Sequence, residues 1–204
     1  MIEPEIYGIF PTPVYLSYVD KKISKEENNF INNKKIETIK NAGNITTKNN
    51  YILEQRIFKK LKKELELKVI DYFNKIICSS NDIKPYITQS WLNYTKKNEY
   101  HHEHEHPNSI ISGVFYINAD KNHDKIIFYN KTYRQIHLHT ENFNAYNSSR
   151  WWFPVETGQV VLFPSYLTHC VENKESDNTR ISLAFNVFIK GEIGNNYLLT
   201  QLKL

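Results

Sequence analysis

The second half of the chain is divided into seven short segments that are rich in β-branched and aromatic residues and are separated by turn residues. The segments are residues 86–94, 109–118, 125–129, 151–155, 159–163, 167–171 and 180–189. Runs of this length and composition predict β-strands. Because so many strands follow a helical first half, we predict an α+β, mainly β fold in which the strands form a sandwich or a small barrel.

The first half of the chain predicts helices that pack on one outer face of the strands. Leu53 begins a row of apolar residues at every fourth position, while lysines and glutamate fill the other face. The pattern predicts one amphipathic helix over residues 53–77.

Shorter signals divide the rest of the chain. Ser24, followed by acidic residues, predicts the start of another helix, and the polar residues 43–50 predict a loop. Residues 6–19 contain two prolines and predict an edge strand or an extended segment. Residues 130–150 are polar and unpatterned, which predicts a mobile loop.

Composition excludes several classes of protein. With 204 residues and a mass of 24.3 kDa, we expect residues 1–204 to form a single domain, with 1–80 supporting a barrel built from 86–190. The chain shows neither a membrane-spanning run nor a signal peptide, and its two cysteines suit a reducing cytoplasm. A net charge of +4 is too mild to indicate a nucleic-acid partner.

A histidine cluster points to metal binding. Residues 101–106 read His-His-Glu-His-Glu-His. If this stretch is extended, His102, His104 and His106 share one face, and imidazole suits Fe, Zn, Cu and Ni. The alternative is a surface histidine-rich tract that binds metals only incidentally. On a later strand, His169 is either an ordinary strand residue or the third ligand, in which case Cys170 faces away from the metal.

The last predicted strand alternates in polarity. Its even positions from Arg180 to Asn186 are small or polar, whereas its odd positions are apolar. A solvated outer face explains this pattern. The alternative is a cavity in which Arg180 and Ser182 bind a carboxylate through paired hydrogen bonds.

Four motifs accompany these residues: Ile-Phe-Pro-Thr-Pro-Val at 9–14, Trp-Leu-Asn at 91–93, His-Glu-His-Pro-Asn-Ser-Ile-Ile-Ser-Gly-Val-Phe-Tyr at 104–116 and Leu-Phe-Pro-Ser at 162–165. With His169 and Arg180, they make the chain resemble the iron(II)/2-oxoglutarate-dependent oxygenases of phages and marine bacteria, over nearly its whole length. The resemblance implies a double-stranded β-helix (jelly-roll) barrel and a dioxygenase that hydroxylates an unidentified substrate with release of succinate and CO₂.

The same resemblance implies roles for individual residues. Fe(II) is expected on His104, His106 and His169, and the far carboxylate of 2-oxoglutarate on Arg180 and Ser182, with Asn93 as a further contact. The usual ligand set has one carboxylate, but the matching position here is His106. Three readings remain: a three-histidine site, a site with one supporting histidine, or a site that uses His101 and Glu103.

Two alternatives stand beside this interpretation. A cupin-type metal enzyme shares the barrel and does not need Arg180, and a non-catalytic phage structural or binding barrel needs neither iron nor 2-oxoglutarate. As partners we expect the small-molecule cosubstrate and an unknown substrate, with no membrane; a homo-oligomer is compatible with the sequence. Ligation requires neutral imidazoles, so we expect activity to fall below about pH 6.5.

Overall fold

The computed structural model describes residues 3–131 and 138–204, so part of the predicted loop over 130–150 lies outside the described residues. Twelve strands occur within the described ranges. They are β1 Tyr15–Tyr18, β2 Thr38–Lys40, β3 Ile45–Thr47, β4 Ile83–Thr95, β5 His101–His104, β6 Ile111–Asn118, β7 Lys125–Tyr129, β8 Arg150–Pro154, β9 Gln159–Pro164, β10 His169–Val171, β11 Arg180–Ile193 and β12 Leu202–Lys203. Each of the seven predicted strands overlaps one of them.

The strands form two antiparallel sheets. The large sheet has the order β1-β9-β6-β11-β4-β3-β2, with β12 paired to β11, and the small sheet has the order β5-β10-β7-β8. Side chains of both sheets line a shared cavity. Strands that are distant in sequence are neighbours in both sheets, as in a jelly roll, so the predicted mainly β barrel is confirmed. Among the described residues, β1 pairs with β9 alone and lies at the end of the large sheet, so the edge strand predicted within residues 6–19 is confirmed.

Helices cover the outer face of the large sheet. They are α1 Lys25–Ile31 and α2 Lys59–Tyr72; two 3₁₀ turns, Ile52–Glu54 and Arg56–Phe58, precede α2, and a π-helical turn, Phe73–Ile77, follows it. Leu61, Leu65 and Val69 of α2 are buried in one cluster with Leu92 and Leu183 of the sheet. Among the described residues, no helix has both the length and the apolar character needed to cross a membrane.

The predicted continuous helix over 53–77 was therefore too simple. Gln55 is extended, with φ −72° and ψ 138°, and separates the two 3₁₀ turns. The amide of Leu53 donates to Ser90 Oγ of β4 at 2.9 Å. This hydrogen bond attaches the start of the segment to the sheet, a contact that periodicity alone does not reveal.

The predicted loop over 43–50 was wrong, because it contains β3. Polar residues form this strand by bonding to β4: Thr46 Oγ1 donates to the Leu92 carbonyl at 3.0 Å, and Thr47 Oγ1 accepts the Leu92 amide at 3.1 Å. The helix predicted after Ser24 is confirmed at its start, where Ser24 and Glu27 form a capping box. It ends at Ile31, and the chain then turns into β2.

Alternation along β11 divides the interior. Odd-numbered residues such as Leu183 and Phe185 pack with the helices in the larger apolar cluster. Even-numbered residues, including Arg180 and Ser182, line the cavity between the sheets. A smaller apolar cluster, which includes Phe128 and Phe163, also lies between the sheets. Of the two sequence-based explanations for the polar stripe, the structure supports the cavity.

Candidate metal and cosubstrate site

A bulge in β5 decides which histidines enter the cavity. His104 pairs with His169 of β10, and His101 pairs with Val171, so the stretch from His101 to His104 faces one residue fewer on its partner. An extra residue in one strand changes the side on which the following side chains point. His101, His104 and His106 therefore line the cavity. The predicted shared face of His102, His104 and His106 was wrong for His102, which is not among the residues that line this cavity.

Three imidazoles converge at one point of this cavity. His104, His106 and His169 each have a ring nitrogen within 4.8 Å of the other two, and His106 Nε2 is 3.4 Å from His169 Nε2. Nitrogens bound to one ion at about 2.1 Å are about 3.0 Å apart at a right angle and about 3.4 Å apart at a tetrahedral angle. The observed separation matches shared ligation of one ion.

Backbone carbonyls set the tautomers of two of these rings. His104 Nδ1 lies 2.8 Å from the His102 carbonyl, and His169 Nδ1 lies 3.0 Å from the Leu167 carbonyl. A carbonyl only accepts, so both Nδ1 atoms carry the proton and both Nε2 atoms carry a lone pair. This is the usual second-sphere arrangement of a histidine that binds a metal.

Burial keeps the imidazoles neutral. Burial is the main reason why the pKa of His106 is lowered to about 4, and the neighbouring His104 is a smaller cause. Burial also lowers the pKa of His104, and it lowers the pKa of His169 well below its usual range. Because these pKa values lie below that of a free imidazole, we expect the fall in function to come at a lower pH than 6.5.

Short polar contacts hold the strands that carry the ligands together. The His106 amide donates to the Ser165 carbonyl at 3.0 Å. Ser165 Oγ donates to Ser109 Oγ at 2.8 Å and is 2.9 Å from Ser112 Oγ. Glu105, between two of the histidines, points outward and bonds to Thr168, the residue before His169. The Trp91 ring packs on His106 with centroids 5.7 Å apart.

A buried positive charge shares the same cavity. Arg180 is 2% exposed, and its Nη2 has a long contact of 3.4 Å to Thr95 Oγ1. Its Nε and Nη1 have no hydrogen-bond partner within the described ranges. Burial lowers the pKa of Arg180, while Tyr116 and Asp124 act in the opposite direction. Asp124 is itself paired with buried Lys174 at 3.3 Å. A buried guanidinium with two free nitrogens is costly unless an anion binds there.

The register of the large sheet places the predicted cosubstrate residues side by side. Ser182 pairs with Asn93 on β4 and with Tyr116 on β6. Ser182 and Asn93 are each 3% exposed, and Asn93 Oδ1 has no hydrogen-bond partner among the described residues. One step along, Ala184 pairs with Trp91, whose ring packs on His106. Ala184 therefore lies at the level of the histidines, and Arg180 is the second cavity-facing residue of β11 beyond it.

The residues present fit the metal and the cosubstrate. Three neutral imidazoles, two of them with lone pairs fixed by backbone carbonyls, suit a divalent transition metal, and the unpaired nitrogens of Arg180 suit a carboxylate. Glu103 is exposed and raises the pKa of Tyr129 and Cys170, so it lies on the other side of the strand. The two histidine groups in the described residues with metal-binding geometry contain no carboxylate.

Cys170 Sγ contacts Tyr129 OH at 3.4 Å and, as predicted, does not line the cavity of His169. Sequence reasoning missed Trp91, Tyr116 and Ser112 as cavity residues, and it included His101 only in the alternative ligand set with Glu103. Strand alternation around Asn93 and Gly113 was the signal for the first three, whereas a bulge gives no such signal for His101.

Comparison with known protein families gives a match over the part of the chain that contains the candidate site. Residues 89–186, from β4 to β11, match the family model described as "Putative 2OG-Fe(II) oxygenase". The matched range includes every residue of the candidate site. Over this range the chain matches the 2OG-Fe(II) oxygenase family. The match supports the predicted oxidoreductase activity and the predicted cofactors, iron and 2-oxoglutarate; the narrower likeness to phage and marine bacterial members stays a prediction.

Solved structures of 2OG-Fe(II) oxygenases share the fold. HygX from Streptomyces hygroscopicus, with nickel and 2-oxoglutarate bound, is 11% identical with a TM-score of 0.59, over 86% of this chain and 82% of its own. An oxidoreductase of the family from Burkholderia pseudomallei is 11% identical with a TM-score of 0.57, over 85% and 83%. A prolyl-4-hydroxylase from Pseudomonas putida is 9% identical with a TM-score of 0.56, over 86% and 92%. No curated protein matches the chain.

Proposed function

We propose that this oxygenase holds Fe(II) on His104, His106 and His169 and binds the far carboxylate of 2-oxoglutarate on Arg180. Ser182 and Asn93 flank the guanidinium and bind the same cosubstrate. The observation that carries the proposal is the position of Arg180: a buried cation with two unpaired nitrogens shares one cavity with three converging imidazoles. A metal-only cupin-type site has no use for that cation.

Together, bound Fe(II) and 2-oxoglutarate supply the oxidation: the cosubstrate yields succinate and CO₂, and one oxygen atom of O₂ is inserted into the substrate. The protein binds, orients and excludes water. The carbonyls of His102 and Leu167 hold two imidazoles with their lone pairs toward the ion. The buried walls keep Arg180 dry, which strengthens its pairing with a carboxylate. Trp91 restricts the ring orientation of His106.

The substrate reaches the metal through an apolar groove of about 780 Å³ beside His106. Its walls include Ile76 and Ile77 of the π-helical turn and Ile110 before β6. Small-molecule pockets in this size range are mostly apolar. We therefore propose a substrate that presents an uncharged aliphatic or aromatic portion to the metal.

The free cysteines support a cytoplasmic location. Cys78 is exposed and Cys170 is buried, and neither forms a disulfide. Such usage suits a reducing compartment.

Anaerobic titration with Fe(II) and 2-oxoglutarate tests the ligand set. We expect the weak visible charge-transfer band of the chelated cosubstrate in the wild-type protein, and its loss in His169→Ala. Arg180→Met retains Fe(II) binding but requires far more 2-oxoglutarate to develop the band. As a matched control, Arg56→Met removes an exposed arginine outside the cavity and leaves the titration unchanged.

Two results contradict the proposal. One is the absence of the band in folded wild-type protein, and the other is an unaltered band in His169→Ala. Equal 2-oxoglutarate affinity in wild type and Arg180→Met contradicts the assigned role of Arg180 alone.

A further inference from the structure

The structure brings a second group of imidazoles together beside the proposed Fe(II) ligands. His101, His102 and His104 each have a ring nitrogen within 4.8 Å of the other two. His104 belongs to both groups. We propose that His101, His102 and His104 form a second site for a late first-row divalent cation such as Zn²⁺ or Cu²⁺, and that this site and the Fe(II) site cannot be filled together.

The bulge in β5 creates this second group. It brings side chains from a stretch of four residues to one place, whereas a regular strand sends neighbours to opposite faces. The His101 and His104 rings stack with centroids 4.5 Å apart and planes 21° apart. The His102 ring lies 5.0 Å from His104 and 5.3 Å from His101. Rings this close allow their nitrogens to meet on one ion.

Two ring nitrogens of the group are suited to binding a cation. His102 Nδ1 is buried and has no hydrogen-bond partner in the described part of the chain. Buried polar atoms are nearly always satisfied, so an unpartnered imidazole nitrogen indicates a missing ligand. His101 Nε2 lies 3.2 Å from Asn41 Nδ2. The amide donates this hydrogen bond and the ring nitrogen accepts it, so His101 Nε2 carries a lone pair. A metal ion binds this lone pair by displacing the Asn41 amide.

The donor set selects the metal. Three imidazoles without a carboxylate favour borderline cations, and affinity for such sites rises from Fe²⁺ towards Cu²⁺, with Zn²⁺ also above Fe²⁺. We therefore expect Zn²⁺ and Cu²⁺ to occupy the second site in preference to Fe²⁺.

Shared use of His104 makes the two sites exclusive. Its Nδ1 proton is committed to the His102 carbonyl at 2.8 Å, which leaves Nε2 as the only lone pair. One lone pair binds one ion. In addition, His101 lines the cavity that contains Arg180, so an ion bound there lies in the space assigned to 2-oxoglutarate. Only this exclusivity rests on the proposed function; binding of the cation does not.

Calorimetric titration with Zn²⁺ alone tests the second site. The double variant His106→Ala/His169→Ala loses the proposed Fe(II) set, and we expect it still to bind one equivalent of Zn²⁺. Adding His102→Ala lowers the Zn²⁺ affinity by more than about 100-fold. Removing only the hydrogen-bond partner of a metal ligand already costs about 10- to 100-fold in affinity, and removing the ligand itself costs more. Adding His123→Ala instead removes an exposed histidine bonded to Asp120 and changes nothing.

Three results overturn the inference. They are a folded double variant that does not bind Zn²⁺, an affinity unchanged by His102→Ala, and two equivalents bound by the wild type, which contradicts the exclusivity. Circular dichroism verifies folding, and His106→Gln/His169→Gln carries the same test if the alanine variant unfolds. Failure of the proposed function has a different signature, namely survival of the Fe(II)–2-oxoglutarate band in His169→Ala.

Discussion

Arg180 carries its charge into the interior of the protein at a cost to stability. Two of its nitrogens have no partner among the described residues, and the side chain is almost fully buried. Replacing buried charges with apolar groups of similar volume is often neutral or stabilising. The burial of an unpartnered guanidinium is therefore explained by the proposed carboxylate binding and not by stability.

Arg180→Met separates these two effects. We expect the free energy of unfolding of the ligand-free protein to stay the same or rise by up to about 4 kcal/mol, because an unpaired buried charge is removed. We also expect 2-oxoglutarate affinity to fall by at least about 100-fold, because the charge-assisted pair is lost. Urea unfolding and anaerobic titration measure the two quantities. A strongly destabilised Arg180→Met protein contradicts this account of Arg180.

The buried histidines make the stability of the protein depend on pH. His106 has a pKa of about 4 in the folded protein and about 6.5 in an unfolded chain. As the pH falls below 6.5, the unfolded chain binds a proton that the folded protein does not, so stability decreases until the pH reaches about 4. Burial lowers the pKa of His104 and His169 in the same direction.

We therefore expect the metal-free protein to lose stability steadily between pH 6.5 and pH 4. Urea unfolding at intermediate pH values with a chelator present measures the slope. In His106→Gln the slope decreases by up to about 1.4 kcal/mol per pH unit. An identical slope in the variant contradicts the burial of a neutral His106.

Most of these residues were predictable from the sequence. The alternation of polar and apolar residues along β11 predicted that Arg180 and Ser182 share a face, because side chains in a regular strand alternate. The sequence offered His101 only as an alternative ligand with Glu103. Its place beside His104 and His106 was not predictable, since a bulge is formed by the pairing of β5 with β10 and leaves no periodic signal.

Among the elements, β6 fits closely against β11. Gly113 lies opposite Phe185, and a Cβ at Gly113 falls 2.2 Å from Phe185 Cζ. Phe185 is 1% exposed and packs in the layer between the large sheet and the helices. The glycine makes room for an aromatic ring on the neighbouring strand.

Gly113→Ala tests this contact. We expect the free energy of unfolding to decrease by about 1–3 kcal/mol, the usual effect of overpacking a core. Combining it with Phe185→Leu costs less than the sum of the single changes, because the smaller side chain relieves the clash. Gly8→Ala is the matched control, since its Cβ meets only Tyr146 at an ordinary 3.5 Å. Strict additivity of the two changes contradicts the contact.

Secondary-structure elements were predictable where their own residues determine them. The strands from β6 to β11 have strong β-branched and aromatic patterns, and Ser24 marks the start of α1. β3 contains two threonines and is held by its pairing with β2 and β4, where Thr46 and Thr47 bond to β4. Such long-range hydrogen bonds have no local signal, so the sequence predicted a loop there.

At the scale of the whole molecule, the two sheets have different tasks. The large sheet is supported by α2 on its outer face and presents Arg180, Ser182 and Asn93 inward. The small sheet presents His104 and His169 from paired strands. The proposed site forms where the two meet, so it depends on the barrel as a whole.

Crystallography of the protein grown anaerobically with Fe(II) and 2-oxoglutarate tests this arrangement most directly. The account predicts an anomalous iron peak about 2.0–2.2 Å from a ring nitrogen of each of His104, His106 and His169, with the far carboxylate of the cosubstrate paired to Arg180. Iron bound away from His169, or a cosubstrate carboxylate that does not contact Arg180, contradicts it.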